Sequence, residues 1–229
     1  MSRTSSFAAN AAFVSYPKQA AFGRNLPKNK IYEHSSANTR LKNLFVEQVE
    51  QIVWQYKLAP ETINLPAKPG VPEIQIFCIH LKTAELNLDV LRCIDGAVQF
   101  PIIFELAFAG RTKVIAAYKR PSESDPSRWV LSDYFSTAWL PSDSQRAAMP
   151  LALDLAGLYE QMLQRLILFP ARAQESIAEL VARVENATAK LREVDTVASK
   201  LAKEKQFNRK VEINARLRRL KTEIEQLNR

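Results

Sequence analysis

From Arg172 to Arg229 the chain runs for its last quarter without a glycine or a proline. Ile177, Leu180, Val184, Ala187, Leu191, Val194, Ala198 and Leu201 recur there at alternating spacings of three and four, the seam of a helix packed along another helix. A second seam follows at Ile213, Leu217, Leu220, Ile224 and Leu227. The two are out of phase, because Leu201 and Ile213 stand twelve residues apart and a strict heptad does not reach that far. Two arrangements satisfy the pattern. A hairpin folding at Lys203–Lys210 sets residues 213–227 against 177–201. A continuous helix lets the seam rotate, since three steps of four locally unwind a left-handed coil. The lack of glycine, proline or an Asn-Gly turn favours the continuous helix, a coiled-coil tail over 171–229. Its seams then need cover from a second copy or a foreign helix.

Ahead of the tail, a chain of 229 residues with 47% hydrophobic content can bury a sizeable core, so one globular domain with an appendage is expected. The formal charge of +8 is unevenly placed. Residues 1–34 carry five Lys/Arg against Glu33 alone, whereas residues 71–170 carry nine basic against eleven acidic side chains. Lys200 to Lys221 holds nine basic residues opposed by Glu204 and Glu212. Such a stripe attracts phosphates or an acidic protein surface, or is the solvated face of a helix. No window approaches a membrane span, and Phe7–Val14, broken by Asn10, makes no signal core. With Cys78 and Cys93 in apolar surroundings, the expected setting is a reducing one, the cytoplasm.

Taken in order, residues 1–34 read as an extended basic arm punctuated by Pro17 and Pro27. Ser35, Ser36, Asn38 or Thr39 can cap a helix from about Thr39 to Leu58, with Leu41, Leu44, Phe45, Val49, Ile52, Val53 and Tyr56 on one face and Trp54 beside it. Glu73–Leu81 reads as a central strand, apolar on both faces. Residues 84–97 fit strand or helix, and the grouping of Leu86, Val90, Cys93, Ile94 and Ala97 favours helix. Pro101–Phe108 and Lys113–Tyr118 form a hairpin about Ala109-Gly110, Pro121–Ser127 a polar turn, and Trp129–Leu140 a fourth strand. The strand–helix–strand unit should be a right-handed parallel crossover. A last domain helix runs from about Ser144 to Leu168. The expected fold is therefore α+β: a small mixed sheet of about four strands packed by helices over residues 35–170.

Several stretches resemble a family. They are Pro27-Lys28-Asn29-Lys30-Ile31-Tyr32-Glu33, the run Trp54 to Leu65, Ile94-Asp95-Gly96, Phe104-Glu105-Leu106, Ala117-Tyr118-Lys119 and the run Glu204 to Asn214. Together they resemble a bacterial and archaeal family known as domain of unknown function 4391. The resemblance implies no chemistry. It implies a setting near helicases and DNA methyltransferases of mobile or defence loci, either of which is then an expected partner.

Chemistry is weakly signalled elsewhere. His34 and His80 are the two histidines, His34 suiting a solvated cap and His80 a core-edge hydrogen bond. No Gly-x-Ser-x-Gly elbow, phosphate-cradling loop or zinc spacing is present, so no cofactor or metal is expected. One enzymatic reading remains, a metal-dependent nuclease using Glu73, Asp95 and Glu105 with Lys113 or Lys119. Against it, no strand carries an acid-x-lysine pair, and Glu105 is equally explained by an ion pair to Lys113 across the hairpin. The expected function is a non-enzymatic accessory subunit of a DNA-processing or defence assembly, docking a helical partner or itself through the tail. The alternative is direct binding of DNA or RNA. Tyr16, Lys18, Phe22, Arg24, Lys28, Lys30 and Tyr32 interleave rings and charges in the arm. In the tail the candidate contacts are Lys203, Lys205, Phe207, Arg209, Lys210, Arg216, Arg218 and Arg219.

Overall fold

The computed structural model describes residues 12–122, 124–125 and 128–228. The first part of the expected arm, and Glu123, Pro126 and Ser127 of the expected turn, lie outside the described residues. The chain divides into two compact units, Met1–Leu168 and Phe169–Arg229.

The first unit is α+β, with a larger sheet than four strands. Its strands are β1 (Val14–Ser15), β2 (Ala21–Asn25), β3 (Val49–Leu58), β4 (Ile74–Leu81), β5 (Ile102–Phe108), β6 (Arg111–Pro121), β7 (Trp129–Ser136), β8 (Leu140–Pro141) and β9 (Ala147–Ala148). Seven of them form one mixed sheet in the order β2-β3-β4-β5-β6-β7, with β8 on β6, while β1 and β9 pair separately. The β4–β5 pair is parallel and the other pairs of the large sheet are antiparallel, as expected for a crossover followed by a meander. The helices are α1 (Lys28–Glu33), α2 (Thr39–Gln48), α3 (Pro60–Ile63), α4 (Leu88–Ala97) and α5 (Leu155–Gln164).

The extra central strand comes from the second half of the expected helix 39–58. Asn38 caps α2, its side chain accepting the Leu41 N–H at 2.9 Å. Helix gives way to strand at Val49, where β-branched and aromatic residues (Val49, Ile52, Val53, Trp54, Tyr56) fit a pleated surface better than a helix. Two lysines close the C-terminal end of α2. Lys28 Nζ donates to the carbonyls of Phe45 at 2.9 Å and Val49 at 2.5 Å, and Lys82 Nζ to that of Val46 at 2.8 Å. Positive charge at that end of a helix meets both its orphan carbonyls and its dipole.

Phe77, Ile79 and Leu81 of β4 pack with Phe104 and Leu106 of β5 beneath Phe45 of α2 and Val90, Leu91 and Ile94 of α4. Alternation puts Ile74, Ile76 and Cys78 on the other face, where Ile74 and Ile76 are also buried. The strand is central and apolar on both sides, as its sequence indicates. The expected helix 144–168 is shorter. Pro150 breaks it, and Asp154 caps α5 by accepting the Gly157 N–H at 2.8 Å. Leu151, assigned to that helix from sequence, lies before it and is 94% exposed.

The second unit is a helical hairpin, not a continuous helix. α6 (Ile177–Lys203) begins with a capping box between Ser176 and Glu179. α7 spans Phe207–Asn228. The turn needs no glycine because Glu204 folds its carboxylate back: Oε1 accepts the N–H groups of Lys205 at 2.8 Å and Gln206 at 2.9 Å. Those two donors hold the Glu204 carboxyl below its ordinary pKa. Across the hairpin Val197, Leu217 and Leu220 form a buried cluster flanked by Val194, Leu201 and Ile213. The out-of-phase seams thus close on each other. Leu191 and Ala198, placed in the seam by spacing, are exposed.

Candidate nucleic-acid interface

The carboxylates of the nuclease reading are placed apart by the sheet. Asp95 lies on α4, over the face formed by Phe104 and Leu106. Glu105 lies between those two residues and therefore on the opposite face. Glu73, just before β4, is 3.3 Å from Lys57. Among the described residues no group of three or more His, Cys, Asp or Glu could hold a metal ion.

Each of the two buried carboxylates has its own polar set. Asp95 accepts the Tyr134 hydroxyl at 2.5 Å and stands 3.9 Å from Lys119 Nζ. Lys119, 2% exposed, donates to the Asp95 and Val98 carbonyls at the end of α4 and lies 5.6 Å from the centre of the Trp129 ring. Burial pushes Asp95 up to about 6 against the pull of Lys119 and Tyr134, and pushes Lys119 down to about 8. Glu105 is held bidentately by Arg146, Nη1 to Oε1 and Nη2 to Oε2 at 2.8 Å each. Arg146 also donates to the Val14 carbonyl at 2.7 Å and stacks 3.8 Å from the Phe13 ring centre. The expected Glu105–Lys113 pair does not form. Lys113 stands opposite Leu106, whereas Val114 is the register partner of Glu105, so the lysine faces the other side. Nothing in the sequence around Arg146, a lone arginine in a polar loop, marks it as that partner.

The histidines and cysteines are not gathered either. His80 Nε2 is 3.7 Å from Cys78 Sγ, whose thiol burial pushes up to about 11, away from nucleophilic thiolate. His34 lines a cleft of about 790 Å³ between α2 and α4, with Arg40, Arg92 and the buried Cys93. Charges of both signs meet there, Arg92 being paired with Asp89 at 3.1 Å.

The arm offers less basic surface than its composition suggests. Lys28 is committed to the end of α2, and Lys30 to Glu33 at 2.7 Å. Tyr16 packs on Tyr56 with ring centres 4.8 Å apart, and Tyr32 edge-on against Phe45. Phe22 lies 4.2 Å from Trp54, and the Arg24 guanidinium sits over the Phe22 ring, 4.6 Å from its centre.

The hairpin buries Arg183 but keeps the cations near its turn and along α7 outside. Lys203, Lys205, Phe207, Arg209, Lys210, Arg216, Arg218 and Arg219 are all exposed. Of the seven charged residues in that set, only Arg216 forms an ion pair among the described residues, with Glu193 at 2.5 Å. Lys190–Glu223 at 2.5 Å is a second tie between the helices. At the far end Arg183 grips Glu175 through two bonds and donates to the Leu227 carbonyl at 2.7 Å. Phe207 is 78% and Val211 53% exposed, so the apolar residues beside the turn are not part of the seam.

The stretches that carry the family resemblance fall on these features. Lys28 closes α2, Asp95 and Lys119 share one buried set, Glu105 holds Arg146, and Glu204 makes the hairpin turn. No helix among the described residues is long and apolar enough to cross a membrane. No curated protein and no solved structure matches the chain. The model of one family, Domain of unknown function (DUF4391), matches residues 14–224, and the chain belongs to that family.

Proposed function

We propose that this protein is a non-enzymatic accessory subunit of a DNA-processing or defence assembly, and that its C-terminal hairpin contacts nucleic acid. One observation carries the reading. The hairpin satisfies its apolar seam internally, yet it presents Lys203, Lys205, Arg209, Lys210, Arg218 and Arg219 to solvent without ion-pair partners among the described residues. Unpaired cations along one element are the electrostatic footprint of a phosphate backbone. The family resemblance supplies the setting, since helicases and DNA methyltransferases, the proposed protein partners, act on the same polyanion. Docking by an open coiled-coil seam loses its support, because that seam is closed.

The test is fluorescence anisotropy of labelled DNA with the full chain, titrated with salt. Changing Lys203, Lys205, Arg209 and Lys210 together to Gln should weaken binding and lower the slope of log K against log salt by roughly three. Circular dichroism should show the fold unchanged. An unaltered affinity and slope would leave the stripe as a solubilising surface and remove the reading.

A further inference from the structure

We infer that the hairpin tip recognises unpaired bases, with Phe207 as the stacking platform, so that its nucleic-acid ligand is single-stranded. The inference rests on the proposed function and specifies its ligand. Phe207 opens α7 and is 78% exposed, and among the described residues no aromatic ring stacks on it. At 100° per residue, Phe207, Val211 and Arg218 fall within about 40° of one another, roughly 130° round the helix from the buried seam. Lys203 and Lys205 precede the ring, and Arg209 and Lys210 follow it.

Three occupants compete for such a surface. A duplex needs only the cations, since its bases are stacked internally, and an exposed ring adds nothing. A protein interface of stable size buries on the order of 1,200 Å² or more and depletes charge at its centre. Here two apolar side chains stand among cations, the opposite arrangement. A single strand uses both features: phosphates meet the cations, and an unpaired base stacks on the ring in place of water.

The experiment compares the full chain on a fluorescein-labelled single-stranded oligonucleotide and on the same strand annealed to its complement. The single strand should bind more tightly. Phe207→Ala should weaken single-strand binding by roughly five- to 150-fold, the range for one lost base stack. It should leave duplex affinity and both salt slopes unchanged, and Phe207→Trp should restore single-strand binding. Equal affinity for the two ligands, or an equal loss on both with Phe207→Ala, overturns the inference while the proposed function stands. Absence of salt-dependent binding to either ligand overturns both.

Discussion

Lys119 Nζ lies 2.5 Å from the backbone carbonyl of Asp95 but 3.9 Å from that residue's carboxylate, so this buried lysine caps a helix more closely than it pairs with a charge. Lys119→Met leaves the Asp95 and Val98 carbonyls without their donor and the buried carboxylate without its cation. The expected loss is about 3–5 kcal/mol, the range for breaking a buried pair from one side. Asp95→Asn keeps both carbonyl bonds and should cost less, about 1–2 kcal/mol. Urea melts of the two variants check the order. Equal costs would mean that charge attraction, not capping, keeps the lysine inside.

The same cluster fixes a pH dependence. Asp95 has its pKa raised in the fold to about 6, against an ordinary 3.8. A raised pKa contributes stability that is present below the unfolded value and is lost as pH rises through the folded one. The difference in unfolding free energy between the wild type and Asp95→Asn should therefore shift against the wild type between about pH 4 and pH 7. Lys119, lowered from 10.5 to about 8, acts oppositely: its contribution is present above the unfolded value and lost as pH falls through 8. A flat difference across pH 4 to 7 would show that Asp95 titrates as an ordinary surface carboxylate.

Glu105 and Arg146 should be coupled with an asymmetry set by exposure. The Glu105 side chain is almost wholly buried and that of Arg146 about one third exposed. Arg146→Ala strands a buried carboxylate, at an expected cost of about 3 kcal/mol. Arg146→Lys should recover little of it, because a point charge cannot reproduce two parallel bonds. Thermal melts of these variants and of Glu105→Gln decide it. A wild-type melting temperature for Arg146→Ala would mean that the contact is incidental.

What could be read in the sequence depended on whether the deciding interactions were local. The β5–β6 hairpin was readable because Ala109-Gly110 is a turn signal, and both residues adopt positive φ, 47° and 72°. Residues 88–97 kept their helical grouping because Asn87 starts the helix locally, accepting the Asp89 N–H. Residues 49–58 failed the reading because their apolar spacing fits a helix face and a strand equally. What decides is lateral pairing with β4, together with Lys28 and Lys82 reaching back to close α2 from elsewhere in the chain. Trp54 accordingly belongs to a strand between Phe22 and Phe77, and is half-buried. The carboxylates of the candidate nuclease site were visible as residue types, but their separation follows from strand alternation and from Arg146, forty-one residues beyond Glu105.

The tail shows the same limit and yields the last prediction. Glycine, proline and Asn-Gly were absent, and the turn is made instead by the Glu204 carboxylate on two successive backbone N–H groups. Because Val197, Leu217 and Leu220 then bury one another, no seam is left that requires a second copy. The full chain should sediment as a monomer over a wide concentration range. Leu217→Ala should cost the hairpin about 2 kcal/mol, near the lower end for a buried leucine because the site borders solvent. Glu204→Ala should loosen the turn and make hydrogen exchange faster at the start of α7, with α6 keeping its capping box. Concentration-dependent dimerisation of the wild type, together with protection at Leu217 that is lost on dilution, would show that the seams close between chains instead of within one.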